Sequence, residues 1–583
     1  MVQAELLLLL AFHLVLTALP GVAAALFAAR KGVRQVPVLL AIGLAASGIV
    51  AMGAFWSYFA DHLVGETYSY FVAFGSVLLA VSSLYGGGID STLLRRLGTA
   101  LALWALGSTF LVFLGFLHGG SHSPLAMAAT RFSGQLPTDN DLPRFFSEWF
   151  YLHGHHGTPP VYPGGWLASD RPPLQMGYML SQWTFGWDDH SRNYQLIGVI
   201  LQQLWIVGLW ALLLAARVGR VTRALVIVTV LVSDVAIVNG FFVWPKMLPA
   251  AMLLAAAALV VTPLWSELRR SLWAAVLIAA LFGLAMLGHG SSIFGIIPLA
   301  LIAAFRGLPS WRWIGVGLVV GFVLMAPWSA YQKYGDPPGN RLVKWMLAGV
   351  PEIDGRSTTE AILDSYGEAG VGGTLHNKAE NFVSMVGGGP MVDGISSAAN
   401  AAESGDFTLA LREIRTILFF DLLPSFGLLL VVPVVMMAAR GRRRLKQPEW
   451  TFALTCFAIV AIGAVAWGLL LFGNSQSRAV IHIGSFVLPV LGFCGAVVGL
   501  RATFPRFAIY FVGFSALVML AIYVPSLTPP PDTSYSLLAA LIAAAGLAGF
   551  GAVALRGDAP PVEGDADMRG SARTRAEPSP LVR

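Results

Sequence analysis

Apolar runs of roughly 20 residues recur along the whole chain, and they restrict it to folds that bury helices in a membrane. They fit α-helices crossing a hydrocarbon core about 30 Å thick and lack the alternation of a β-barrel. Composition agrees: 56% of the residues are hydrophobic and 12% are charged, against about 25% charged in a soluble domain. The expected fold class is therefore all-α, a polytopic transmembrane helical bundle of about fifteen spans.

The spans are expected in three groups. The first occupies 4–29, 36–60, 68–86 and 98–117. The second occupies 194–216, 222–242, 247–264, 271–288, 291–305 and 313–331. The third occupies 415–439, 450–473, 480–500, 507–525 and 534–555. Leu6 to Phe27 is too long for a signal-peptide core and shows no clear cleavage site, so it reads as a retained helix. Residues 556–583 are rich in Pro, Gly and mixed charge and read as a disordered tail. Cys456 and Cys494 lie inside apolar runs, which points to packing roles rather than a disulfide or metal pair.

Lys and Arg mark the cytoplasmic loops. One alternate set of loops carries Arg30, Lys31 and Arg34; Arg95 and Arg96; Arg217, Arg220 and Arg223; Arg269 and Arg270; Arg306 and Arg312; Arg440 to Lys446; and Arg501 and Arg506. The net charge of +6 thus reflects orientation, and no nucleic-acid partner is expected. The two long loops, 118–193 and 332–414, then share the outer face. So do Trp244-Pro245-Lys246, His289-Gly290-Ser291-Ser292 and the segment from Asn474 to His482.

Most of the unusual polar residues fall on that face. Asp139-Asn140-Asp141 precedes an aromatic stretch, Phe145, Phe146, Trp149 and Phe150, whose spacing predicts a helix along the membrane surface. Asp139 or Asp141 would cap that helix or act as a general base toward an acceptor hydroxyl. Arg171, between Asp170 and Pro172-Pro173, could grip phosphate oxygens in two places or pair with Asp170 or a lipid headgroup. Lys246 could add positive charge or anchor its helix end beside Trp244. Arg341 and Lys344 lie three apart on a predicted helix, suited to a phosphate leaving group or to anionic lipid. His289, Arg478 and His482 sit at helix ends on the same face, as ligands of substrate or as packing residues. His153, His155 and His156 have no recognised zinc spacing, and no metal or cofactor is expected. Gly387-Gly388-Gly389 lacks the Lys-Ser or Lys-Thr of a nucleotide loop.

Asp139-Asn140 with its aromatic helix and Gly154 resembles the acidic motif in the first outer loop of the GT-C glycosyltransferases. Asp170-Arg171-Pro172-Pro173-Leu174 resembles the Pro-Pro-Leu motif of the protein mannosyltransferase and aminoarabinose transferase branch. The resemblance covers the layout of residues 98–331. In that family the acidic loop follows the first span and the two acids are adjacent; here three more spans precede it, and Asn140 separates Asp139 from Asp141.

The resemblance implies sugar transfer from a polyprenyl-phosphate donor to a glycan, lipid or protein acceptor, among membrane lipids, on the outer face of a bacterial plasma membrane. Its implied division is 1–97, N-terminal helices; 98–331, the GT-C-like core with loop 118–193; 332–414, the second outer loop; 415–555, C-terminal helices; and 556–583, a cytoplasmic tail. Asp139 or Asp141 would be the base, inverting the anomeric centre, with Asp170, Arg171, Lys246, His289, Arg341, Lys344, Arg478 and His482 binding substrate. A transporter or flippase of a lipid-linked or anionic substrate would instead use ionisable residues inside spans, of which Asp234 and Asp421 are the clearest. A non-catalytic lipid-binding protein would tolerate loss of both Asp139 and Asp141.

Overall fold

A computed structural model describes residues 2–85, 89–133, 136–186, 190–438, 447–473, 486–527 and 536–557. Among them the secondary structure is helical, with one isolated antiparallel bridge between Tyr162 and Trp166. Four long helices come first: α1 (Val2–Arg30), α2 (Val36–Ala60), α3 (His62–Tyr85) and α4 (Ser91–Gly115). Local signals set their ends. A proline occupies the first turn of α2, and the Asp90 side chain accepts the Leu93 N–H at the start of α4. α1 and α2 touch where Gly21 meets Gly43: a Cβ on Gly21 would lie 2.6 Å from the Gly43 carbonyl oxygen. Such small residues let helices approach closely in a medium that gives no hydrophobic drive to pair.

Three short helices follow, α5 (Pro124–Thr130), α6 (Leu142–His153) and α7 (Leu174–Trp183). A central set comes next: α8 (His190–Gln202), α9 (Trp205–Ala215), α10 (Arg220–Leu231), α11 (Asp234–Phe242) and α12 (Met247–Val260). The central set is almost wholly enclosed. α3 and the helix Trp311–Ala330, by contrast, expose most of their apolar side chains, as lipid-facing helices must.

The chain is a membrane-embedded helical protein. Nine helices of the described residues are long and apolar enough to cross a bilayer, and two bent pairs raise this to eleven: α10 with α11, at 52°, and Phe407–Phe420 with Pro424–Ala438, at 82°. Met247–Val260, Leu272–Gly288, Gly290–Phe305 and Val487–Thr503 are apolar but shorter. Each predicted span thus coincides at least in part with an apolar helix, although length alone supports fewer crossings than the sequence pattern does.

The second long loop is largely helical. It contains the helices Arg341–Ala348, Thr358–Val386 and Gly388–Glu403 and the first half of Phe407–Phe420, which continues into the predicted span 415–439. Ser357 and Glu360 form a reciprocal capping box at the start of the longest, and Asp406 caps the last.

Candidate functional site

The acidic motif folds as a single 3₁₀ turn, Thr138–Asp141, that runs into α6. Leu142, Phe146 and Phe150 recur one helical turn apart and are buried, with Phe150 against Phe55 of α2 at 5.3 Å. The predicted helix is therefore present, and it ends at Gly154. Asp141 occupies the capping position but makes no capping bond. Both of its oxygens accept from Arg144 instead, at 2.6 and 3.1 Å, and Arg144 also reaches Glu148 at 2.7 Å.

Asp139 points the other way. Its Oδ2 accepts from Arg171 Nη2 at 2.7 Å, and both residues are about 95% buried. A single bond joins the pair, so Asp139 Oδ1 and Arg171 Nε have no hydrogen-bond partner among the described residues. Native structures rarely leave such atoms unmatched without a reason.

Arg171 owes its position to a knot between the two long loops. Its guanidinium stacks on Trp166 at 4.3 Å, and Arg341 stacks on the same ring at 5.0 Å. Asp170, the neighbour of Arg171, accepts from Arg341 Nη1 at 3.1 Å and from the Leu167 N–H at 3.0 Å. Burial nevertheless pushes the Asp170 carboxyl above its ordinary value, against the pull of those two donors. Asp336 accepts the Ser169 N–H at 2.7 Å, and Gln332 donates to the Ser169 carbonyl. Adjacency in sequence misleads here: Asp170 pairs with Arg341, while Arg171 pairs with Asp139.

Pro172-Pro173 then turns the chain into α7, which lies well within the helical layer. A Cβ on Gly177 would stand 2.1 Å from the Ala51 carbonyl oxygen. Ala51 is about 13 Å along α2 from its end at Ala60, at ~1.5 Å per residue. Tyr178 donates to Ser47, and Gln182 donates to Thr17. α7, which Arg171 precedes by three residues, is therefore recessed among the helices.

Lys246 completes the centre. It lies between α11 and α12, is 1% exposed, and stacks over Trp244 at 4.6 Å. Burial lowers its ammonium pKa to about 7; the charge of Arg171 lowers it further, and that of Asp139 opposes the shift. The backbone around Lys246 is fixed by buried amides. Gln175 donates to the carbonyl of Val243, which adopts a left-handed conformation at φ 56°. Gln202 accepts the N–H groups of Met247 and Leu248 and donates to Gln175. Tyr194 donates to the Asn140 carbonyl, tying α8 to the acidic turn.

The other predicted residues within the described ones have partners of their own. Lys344 is fully buried and bonds the Asp354 side chain and carbonyl, together with the Arg356 carbonyl. Lys344 and Arg356 hold the Asp354 carboxyl down at about 2. Arg341 donates through Nε to the Pro351 carbonyl and through Nη1 to Asp170 and the Gly165 carbonyl. His289 ends the helix Leu272–Gly288 and accepts the Ser291 N–H through Nδ1. Arg478 and His482 lie outside the described residues. Trp166, Gln175, Tyr194, Gln202 and Asp336 were not singled out from the sequence, although Trp166 is a tryptophan in a Pro-Gly-Gly-Trp turn close to Arg171. No protein-family profile, curated protein or solved structure matches the chain.

Proposed function

We propose that the protein is a membrane glycosyltransferase that moves a sugar from a polyprenyl-phosphate donor to a hydroxyl of a glycan, lipid or protein acceptor. The observation that carries this reading is the unmatched Oδ1 of Asp139 within a buried centre that also holds Arg171 and the charge-coupled Lys246. An acceptor-only oxygen set among two cations suits a reaction that removes a proton and releases a phosphate.

Asp139 takes the acceptor proton through Oδ1. The acceptor oxygen then attacks the anomeric carbon as the bond from that carbon to the phosphate oxygen breaks. The bond electrons leave with the polyprenyl phosphate, whose charge Arg171 and Lys246 stabilise. One displacement inverts the anomeric configuration. Of the two candidate bases Asp139 is favoured, because Arg144 occupies both oxygens of Asp141. Arg341 and Lys344 act on position rather than on the phosphate: Arg341 holds Asp170 and Trp166, and Lys344 holds the Asp354 turn. Because Asp139 and Arg171 are buried, donor entry requires a covering segment to move. The turn bearing Trp166, which lies on both guanidiniums, is the segment assigned that movement.

The test is sugar transfer by purified, lipid-reconstituted protein offered a panel of polyprenyl-phosphate sugars, with Asp139→Asn and Asp141→Asn beside the wild type. Loss in the first variant alone supports the reading; undiminished transfer in both removes the proposed base. A transport reading has one observation in its favour. Asp234 is fully buried at the 52° break between α10 and α11, where ionisable residues often serve transport. Substrate flux without transfer, lost in Asp234→Asn, would establish it instead.

A further inference from the structure

An apolar chamber of about 280 Å³ lies between α1, α2, α4 and α9, away from the Asp139 centre. Its wall includes Ala25, Leu26, Leu39, Leu44, Leu97 and Trp104. Its polar margin is thin and already occupied: Thr17 accepts from Gln182, and Ser47 from Tyr178. Nothing in this wall could bind a sugar or an ion, whereas a hydrocarbon chain meets only matching surface. The volume is just under the range usual for small-molecule sites, about 300–1,000 Å³.

The opposite margin supplies the second half of the argument. Leu26 lies one turn before Arg30, Leu94 adjoins Arg95, and Leu39 follows the loop that carries Lys31 and Arg34. Arg30, Lys31, Arg34 and Arg95 are all exposed. Arg30 donates to the Ser82 carbonyl at the end of α3, close to Leu84 of the chamber wall. The apolar cavity is thus lined by residues that adjoin four exposed cations in the chain.

We propose that this chamber binds one anionic phospholipid, with an acyl chain between α1, α2 and α4 and its phosphate among Arg30, Arg34 and Arg95. The charge selects the anionic headgroup, since each basic residue near an anionic surface adds a favourable increment. The chamber selects a lipid that can leave one chain inside the protein. Such a lipid would brace α4 against the α1–α2 pair, whose contact at Gly21 and Gly43 is already close.

The experiment uses the full chain in non-ionic detergent, with phosphatidylglycerol and phosphatidylcholine carrying brominated chains as probes. Native mass spectrometry reads stoichiometry, and quenching of Trp104 emission, obtained by difference from Trp104→Phe, reads occupancy. The expected result is one phosphatidylglycerol retained, in preference to phosphatidylcholine. The triple variant Arg30→Gln, Arg34→Gln, Arg95→Gln should weaken phosphatidylglycerol by about tenfold or more. Gly98→Phe should exclude the chain, because Gly98 lines the chamber and a Cβ there meets no atom within 4 Å. Equal retention of both lipids, or unchanged quenching in a folded Gly98→Phe protein, overturns the proposal. Displacement of phosphatidylglycerol by an equimolar polyprenyl phosphate would also overturn it, by assigning the chamber to a different lipid. None of these readouts depends on sugar transfer.

Discussion

Asp139 and Arg171 lie 32 residues apart and meet through one 2.7 Å contact inside the protein, although each has an oppositely charged neighbour closer in sequence. Arg171 adjoins Asp170, which turns to Arg341 instead. Asp139 lies near Arg144, which binds Asp141 instead. The two acids of one short motif are thereby separated: Asp141 has both oxygens engaged, while Asp139 keeps one without a hydrogen bond. Their substitutions should consequently behave differently.

Asp139→Asn should lower the transfer rate by about 10²–10⁴-fold, the usual contribution of a positioned base, in a protein that folds with reduced stability because buried Arg171 has lost its carboxylate. Asp141→Asn should retain turnover within a few-fold. It weakens a two-bond contact to Arg144, which keeps its bond to Glu148, so the loss falls on stability rather than on turnover. Initial rates at saturating donor, with thermal unfolding of each variant in detergent, check both statements. Equal loss of rate in the two variants would contradict the assignment of roles.

Arg171→Met should destabilise the protein by about 3–5 kcal/mol, the cost of leaving a buried carboxylate without its cation. Adding Asp139→Asn to that variant should recover much of the loss, because the unpaired charge is then gone. Thermal or denaturant unfolding of the two single variants and the double variant forms the cycle. Additive losses would mean that the contact contributes little.

Gly177→Ala tests how α7 places Arg171. The added Cβ would stand 2.1 Å from the Ala51 carbonyl oxygen, so α7 must move off α2. An overpacked contact of this kind costs about 1–3 kcal/mol. Transfer should fall with it, because Arg171 sits three residues before the start of α7. Gly75→Ala, at a half-buried position of α3 where a Cβ meets nothing within 4 Å, should leave transfer unchanged and should not lower stability.

The sequence made the local parts of this arrangement readable and hid the long-range ones. Phe146 and Phe150 declared α6 by their helical spacing, and Arg341 and Lys344 do lie on one helix. Their charge was legible in the sequence as suited to phosphate or anionic lipid, but their partners Asp170 and Asp354 were not. The helices after Arg341 were missed for another reason. They lack long apolar runs, and their start signals, Ser357 with Glu360 and Asp406, are polar. Trp166 went unremarked because a tryptophan clamping two arginines becomes visible only when both loops are folded together.

Lys246 gives the centre a pH dependence whose sign can be worked out. Its pKa falls from an ordinary 10.5 to about 7 on folding. Between those values the unfolded chain holds a proton that the folded protein has lost, so this residue makes stability rise as pH increases from about 7 to about 10.5. Below about 7 both states are protonated, and the cost of burying the charge is constant. Lys246→Met should remove that slope and raise stability at acidic pH. Catalysis should run the opposite way: the ammonium that steadies the departing phosphate is present below about 7, so transfer should decline as pH rises through that value. Lys246→Arg, which stays charged, should move the decline to higher pH. Rate profiles across about pH 5.5–9, which bracket the fall near 7, and unfolding curves across about pH 5.5–11.5, which bracket the window from about 7 to 10.5, check both limbs. A decline that persists unmoved in Lys246→Arg would place the titrating group elsewhere.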